Sequence, residues 1–191
     1  LHRLLSGGTL EYFEPISLTG ADWWTPYDGY LRQEIPSLAA EDPYVSMVQS
    51  PTRSCYRGDF LELLSAVLTD CGTTLPEIND VSAVPDCQDP ELIAFYRWGI
   101  LGGKDAYGTL YAQAALSRGA AAAMLARTYR AYQSEEPDVL EPVTFTDQED
   151  IADWALEDVA LMSQLGIMNG VGDGRFDPLG TYTEEQCFIS L

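Results

Sequence analysis

Apolar positions recur along this chain with helical spacing, in blocks separated by glycine-rich stretches. Phe60, Leu63, Leu64, Val67 and Leu68 fall at i, i+3, i+4, i+7 and i+8 in "YRGDFLELLSAVL" (56–68), which predicts an amphipathic helix. Residues 118–132 predict a second, with Ala121, Met124, Leu125, Thr128, Tyr129 and Tyr132 on one stripe. Shorter helices are predicted around Leu92, Phe95 and Tyr96, and around Ala155, Val159 and Met162. Each of these shorter helices runs into a glycine, Gly99 or Gly166, suited to the left-handed position that ends a helix because glycine lacks a Cβ. Ser117 and Thr183 are candidate N-caps for the helices that follow, since a hydroxyl can accept an orphan amide hydrogen bond.

The pattern repeats. "FYRWGILGGKDAYGTLYAQAALSRGAAAAMLARTY" (95–129) parallels "LMSQLGIMNGVGDGRFDPLGTYTEEQCFISL" (161–191). Gly99-Ile100 aligns with Gly166-Ile167, Gly103 with Gly170, Gly108 with Gly174, and Leu110 with Phe176. A short acidic lead-in precedes each, "INDV" and "FTDQ", with Asp80 set against Asp147. A looser third copy lies upstream, where "ADWWTPYDGYLRQEI" (21–35) stands for a first helix and Arg57-Gly58 matches Arg118-Gly119. Its elbow is replaced by "PSLAAEDPYVSMVQSPTR". The expected organisation is an N-terminal segment (1–20), a degenerate repeat (21–77), a repeat (78–132), a proline- and acid-rich linker (133–144) and a repeat (145–191). The chain starts at Leu1 and stops within a helix, so it reads as part of a longer protein.

Composition narrows the chemistry. Thirty acidic against 10 basic residues give a formal charge of −20, a field that repels nucleic acid and anionic lipid. No apolar run approaches the roughly 20 residues of a membrane span, so no membrane insertion is expected. Cys55, Cys71, Cys87 and Cys187 form no CxxC or Cys/His cluster, and His2 is the single histidine. No metal site, no cofactor and no catalytic residues are therefore expected. Small buried thiols are the default reading, and the spacing leaves open whether Cys71 and Cys87 pair. "NGVGDGRFDP" fails as a calcium loop, because with Gly174 as the sixth residue position 12 is Gly180, not a bidentate glutamate.

Taken together, Phe145, Asp147, Trp154-Ala155, Gly166-Ile167, Gly170, Asp173-Gly174, Phe176, Pro178, Thr183 and Glu185 resemble the S-layer homology repeat. Residues 78–130 resemble it nearly as well, and 21–68 weakly. The resemblance implies an all-α fold: tandem helix–loop–helix repeats packed as a pseudo-threefold helical bundle with grooves between repeats. It also implies a non-enzymatic, extracellular module at the bacterial cell surface, bound to secondary cell-wall polysaccharide, often pyruvylated. The arginine of the family's "T-R-x-E" is its chief ligand contact, which carries over to Arg118 and Arg57; a guanidinium fork suits a carboxylate. Arg53, in Thr52-Arg53, takes that place if the loop register differs. The third copy has Glu184 there, an acid expected to silence its groove. Trp154, Trp98 and Trp24 are candidates to pack under sugar rings, with core packing the commoner fate of such residues. The alternative is a structural or protein-interaction bundle with decayed grooves, or the tether of an enzyme outside these residues. Oligomeric state is left open.

Overall fold

The computed structural model describes residues 1–5, 32–35, 49, 52–73, 84–102, 107–133 and 143–191. Among these the chain is helical: α1 (His2–Leu5), α2 (Arg57–Asp70), α3 (Pro90–Arg97), α4 (Arg118–Tyr132), α5 (Leu156–Gln164) and α6 (Glu184–Ser190). Two 3-10 turns, Gln148–Asp150 and Asp153–Ala155, lead into α5. Only isolated β-bridges accompany the helices among the described residues. No helix there is long and apolar enough to cross a membrane.

The helices start and stop where local chemistry directs. Pro90 opens α3, and the Asp89 carboxylate accepts hydrogen bonds from the amides of Glu91 (2.8 Å) and Leu92 (3.4 Å). At its end Gly99 takes φ +80°, and the Ile100 amide reaches back to the Phe95 carbonyl at 3.1 Å. The end of α5 repeats this, with Gly166 at φ +68° and the Ile167 amide bonded to Met162 O at 3.0 Å. The Ser117 hydroxyl caps α4 by accepting from the Ala120 amide, and the Gln186 side chain accepts from the Thr183 amide in a capping box on α6.

The stripes predicted for α2 and α4 form the core. Phe60, Leu63, Leu64, Val67 and Leu68 are all buried, as are Ala121, Met124, Leu125 and Thr128, while α4 packs along α5. Phe95, Phe176, Tyr182 and Phe188 join the same cluster, and Phe60 meets Tyr182 edge-on with centroids 6.0 Å apart.

The segments just before α2, α4 and α6 meet in a closed ring. The Cys55 amide donates to Tyr182 O (2.9 Å), Tyr182 to Leu116 O (2.8 Å) and Leu116 to Cys55 O (2.8 Å). An outer ring runs in the opposite sense: Arg57 N to Ala114 O (3.1 Å), Arg118 N to Gly180 O (2.9 Å), Glu184 N to Arg53 O (3.0 Å). These bonds satisfy amides that the helix starts leave without an intrahelical partner. Gly58 and Gly119, one residue into α2 and α4, lie against the next unit's backbone. A Cβ there would meet Ala112 O at 3.3 Å and Pro178 O at 3.2 Å.

Candidate functional site

The ring fixes the register of the candidate arginines. Arg57, Arg118 and Glu184 each follow a ring residue by two positions, whereas Arg53 stands level with Ala114 and Gly180. Arg53 therefore does not take the place of Arg57.

Arg57 and Arg118 do the same thing at successive junctions. Both are buried, and each directs its guanidinium into the elbow of the following unit. Arg57 donates from Nε to Leu110 O (3.0 Å) and from Nη2 to Gly102 O (2.9 Å). Arg118 donates from Nε to Phe176 O (2.9 Å) and from Nη2 to Asn169 O (2.8 Å). Leu110 and Phe176 are the residues that the sequence alignment pairs, and Gly102 and Asn169 are in the same register. Arg118 also lies over the Phe176 ring, 4.9 Å from its centroid, and its Nη1 donates to Gln186 Oε1 at 3.2 Å. Burial destabilises the charged form of both side chains. It draws Arg57 down to about 10, partly opposed by Asp86, and lowers Arg118 as well.

A carboxylate organises the far side of each elbow. Asp147 accepts from the amides of Phe176 (2.9 Å) and Asp177 (2.8 Å). In the preceding unit the equivalent acid is Asp86, which accepts from Leu110 N (2.9 Å) and Tyr111 N (2.8 Å). The alignment of Asp80 with Asp147 is thus corrected to Asp86; Asp80 itself lies outside the described residues. The cause is a shorter path from this acid to the elbow, 24 residues from Asp86 to Leu110 against 29 from Asp147 to Phe176. Asp177 and Tyr111, the second amide donors, both sit at positive φ, +60° and +51°. The paired amides favour that conformation. Partial desolvation works to raise the Asp147 carboxyl, but its backbone donors and Arg175 outweigh this and hold it below its ordinary value.

Glu184 breaks the pattern. Fully buried, it accepts from Arg53 Nε (3.1 Å) and Nη2 (2.9 Å), both on Oε1, while Oε2 has no hydrogen-bond partner. Its carboxylate therefore does not face solvent as an exposed repulsive charge; it is an internal ion pair. Burial pushes Glu184 above its ordinary value of 4.5, opposed by Arg53 and supported by Asp59. Asp59 is itself raised above its ordinary 3.8, by desolvation.

A folded-state value raised above the ordinary one means a contribution complete below the ordinary value and lost as pH rises through the folded value. Glu184 and Asp59 therefore favour mild acid. Asp147 acts oppositely: its contribution is complete above 3.8 and is lost as pH falls through its lowered value. The melting temperature is expected to be higher near pH 4.5 than at pH 7.5, and to fall again below about pH 3.5. Thermal melts of Glu184→Gln should show a shallower decline from pH 4.5 to 7.5. An unchanged slope would show that Glu184 does not carry this limb.

Trp154 falls on the 3-10 turn before α5 and is 58% exposed, so core packing is excluded for it. Trp98 is half-buried at the end of α3, and Trp24 lies outside the described residues. All four cysteines are free thiols. Sequence reading missed two parts of the site: the elbow carbonyls as arginine partners, and Asp86.

The described residues thus define an all-α arrangement in which the starts of α2 and α4 are each joined to the following elbow. Residues 144–186 match the family model of the S-layer homology domain, and the chain carries such a domain there. Comparison with curated proteins gives no significant match. An S-layer homology domain associates a protein with the cell surface and its wall.

Proposed function

We propose that the whole module is a pseudo-threefold set of S-layer homology repeats that anchors its parent protein noncatalytically to secondary cell-wall polysaccharide outside the cell. The carrying observation is that the backbone geometry of the matched domain recurs upstream. The ring residues Cys55, Leu116 and Tyr182 exchange the same hydrogen bonds, and Arg57 and Arg118 enter equivalent elbows.

Ligand contact would fall to the arginines at the unit junctions. Two elbow carbonyls orient each guanidinium while burial strips it of water, and a carboxylate gains most from a charge that is fixed and poorly hydrated. In Arg118 the Nη1 edge already meets Gln186, whereas Nη1 of Arg57 has no protein partner among the described residues. The junction at Arg57 is therefore the preferred site, with exposed Tyr107 and Tyr111 on its elbow. Trp154, also exposed, offers a sugar-stacking face on the matched domain. A pyruvyl group is the wall-polymer substituent that fits this chemistry.

A second reading is a structural or interaction bundle in which the arginines serve only to join units. Their burial against backbone carbonyls favours it. Calorimetric titration of a pyruvylated wall disaccharide separates the two. Arg57→Lys keeps the charge but loses the fork, and is expected to weaken binding about tenfold or more while circular dichroism shows a folded helical protein. Undiminished affinity in the folded variant would remove Arg57 from the site.

A further inference from the structure

We propose that Cys55 and Cys187 form an intramolecular disulfide that covalently closes the junction between the unit ending in α2 and the unit ending in α6. Both side chains are free in this structure and fully buried in one hydrophobic cluster, where Cys55 acts on the Cys187 thiol and its own Sγ lies 3.5 Å from Tyr56 O. Backbone contacts hold their segments together. The Cys55 amide donates to Tyr182 O at 2.9 Å, Ser54 bridges Thr183, and Cys187 follows one helical turn later with its amide on Thr183 O at 3.0 Å. At the other two junctions the same register places Leu116 with Phe60 and Tyr182 with Ala121, so cysteine stands on both sides only here.

This junction also differs in its clamp. Arg57 and Arg118 each join their neighbours through two carbonyls, whereas here the equivalent residue is Glu184, paired with a half-exposed Arg53. A covalent bond would reinforce the junction that lacks the arginine clamp. Cell-surface proteins meet an oxidising environment, where such bonds persist.

The oxidant is a low-molecular-weight disulfide, RSSR. One cysteine thiolate attacks it, forming a mixed disulfide and releasing RS⁻, which takes up a proton. The second thiolate then attacks the protein sulfur of that mixed disulfide and expels the second RS⁻. In sum, two thiols lose two protons and two electrons, and RSSR becomes two RSH. Burial raises the Cys187 thiol well above its ordinary value, so exchange requires α6 to open or takes place as the chain folds.

The test is refolding of the whole chain in a buffer of oxidised and reduced glutathione, followed by thiol titration in denaturant, peptide mapping and thermal melts. Two of the four thiols should remain titratable, with Cys55 and Cys187 recovered in one linked peptide. Because 187 − 55 = 132 positions separate them, the oxidised form should melt on the order of 10 °C above the reduced form. Cys187→Ala should abolish the reductant-dependent shift. Four titratable thiols, a linkage through Cys71 or Cys87, or an oxidised form melting no higher than the reduced form would each overturn the proposal. The peptide map of the unsubstituted chain decides even if the variant does not fold.

Discussion

Replacing Arg118 by alanine is expected to destabilise the fold by about 3–5 kcal/mol, far more than removal of an ordinary surface charge. The guanidinium donates to two carbonyls, Phe176 O and Asn169 O, within an elbow otherwise closed by Asp147. Truncation leaves these acceptors without their donors, at about 1–3 kcal/mol each, and removes the contact over the Phe176 ring, worth about 1 kcal/mol. In a chain of this size that corresponds to a fall in melting temperature of about 10 °C or more. Equilibrium urea unfolding measures it directly. A loss below about 1 kcal/mol would mean that water readily replaces the guanidinium, and that Arg118 is not a structural link between units. The same experiment guards binding studies, because a variant that loses polymer binding must first be shown to be folded.

Phe176→Ala should cost a similar amount, about 3–5 kcal/mol, for a different reason. Its ring is fully buried, packs against Phe145 with centroids 5.3 Å apart, and carries Arg118 on its face. Removing it opens a cavity in the elbow core and takes away the surface on which Arg118 rests. Because the two side chains touch, their losses should not add: the double variant Phe176→Ala/Arg118→Ala should be less destabilised than the sum of the single variants. Strict additivity in the urea data would show that ring and guanidinium act independently, against the geometry described. Leu110, the buried counterpart in the preceding unit, has no ring to offer Arg57, so no comparable coupling is expected there.

Much of this arrangement is legible in the sequence because it depends on local chemistry. The stripe from Phe60 to Leu68 specifies α2 through spacing alone, and Gly99 and Gly166 mark helix ends because the backbone there must turn left-handed. The alignment of Leu110 with Phe176 and of Gly108 with Gly174 likewise matches their structural roles, the glycines at φ +75° and +70°. What the sequence does not display is contact between units. That Arg57 and Arg118 donate to elbow carbonyls follows from one repeat lying beside the next, a relation 45 to 58 residues long in sequence. The Arg53–Glu184 pair spans 131 residues and has no counterpart in the other copies, so no repeat comparison could reveal it. Asp86 was hidden by the different lengths of the two lead-ins. Core packing is the commoner fate of a tryptophan such as Trp154, but it stands on a 3-10 turn ahead of α5 and is exposed.

These contacts also change the meaning of the third copy. An acid in place of the family's arginine reads, in sequence, as a lost ligand residue facing a groove. In the structure Glu184 is wholly inside and joined to Arg53, so the substitution exchanges one link between units for another. The two elbow-bound arginines remain the positive charges that the backbone carbonyls hold fixed at the other two junctions.

The most direct test of anchoring is sedimentation of the folded chain with purified Gram-positive cell-wall sacculi, before and after chemical removal of the secondary polysaccharide. Polymer-dependent anchoring requires the protein to pellet with intact sacculi and to stay in solution once the polysaccharide is gone. A folded protein that stays in solution with both preparations, or pellets equally with both, would contradict it.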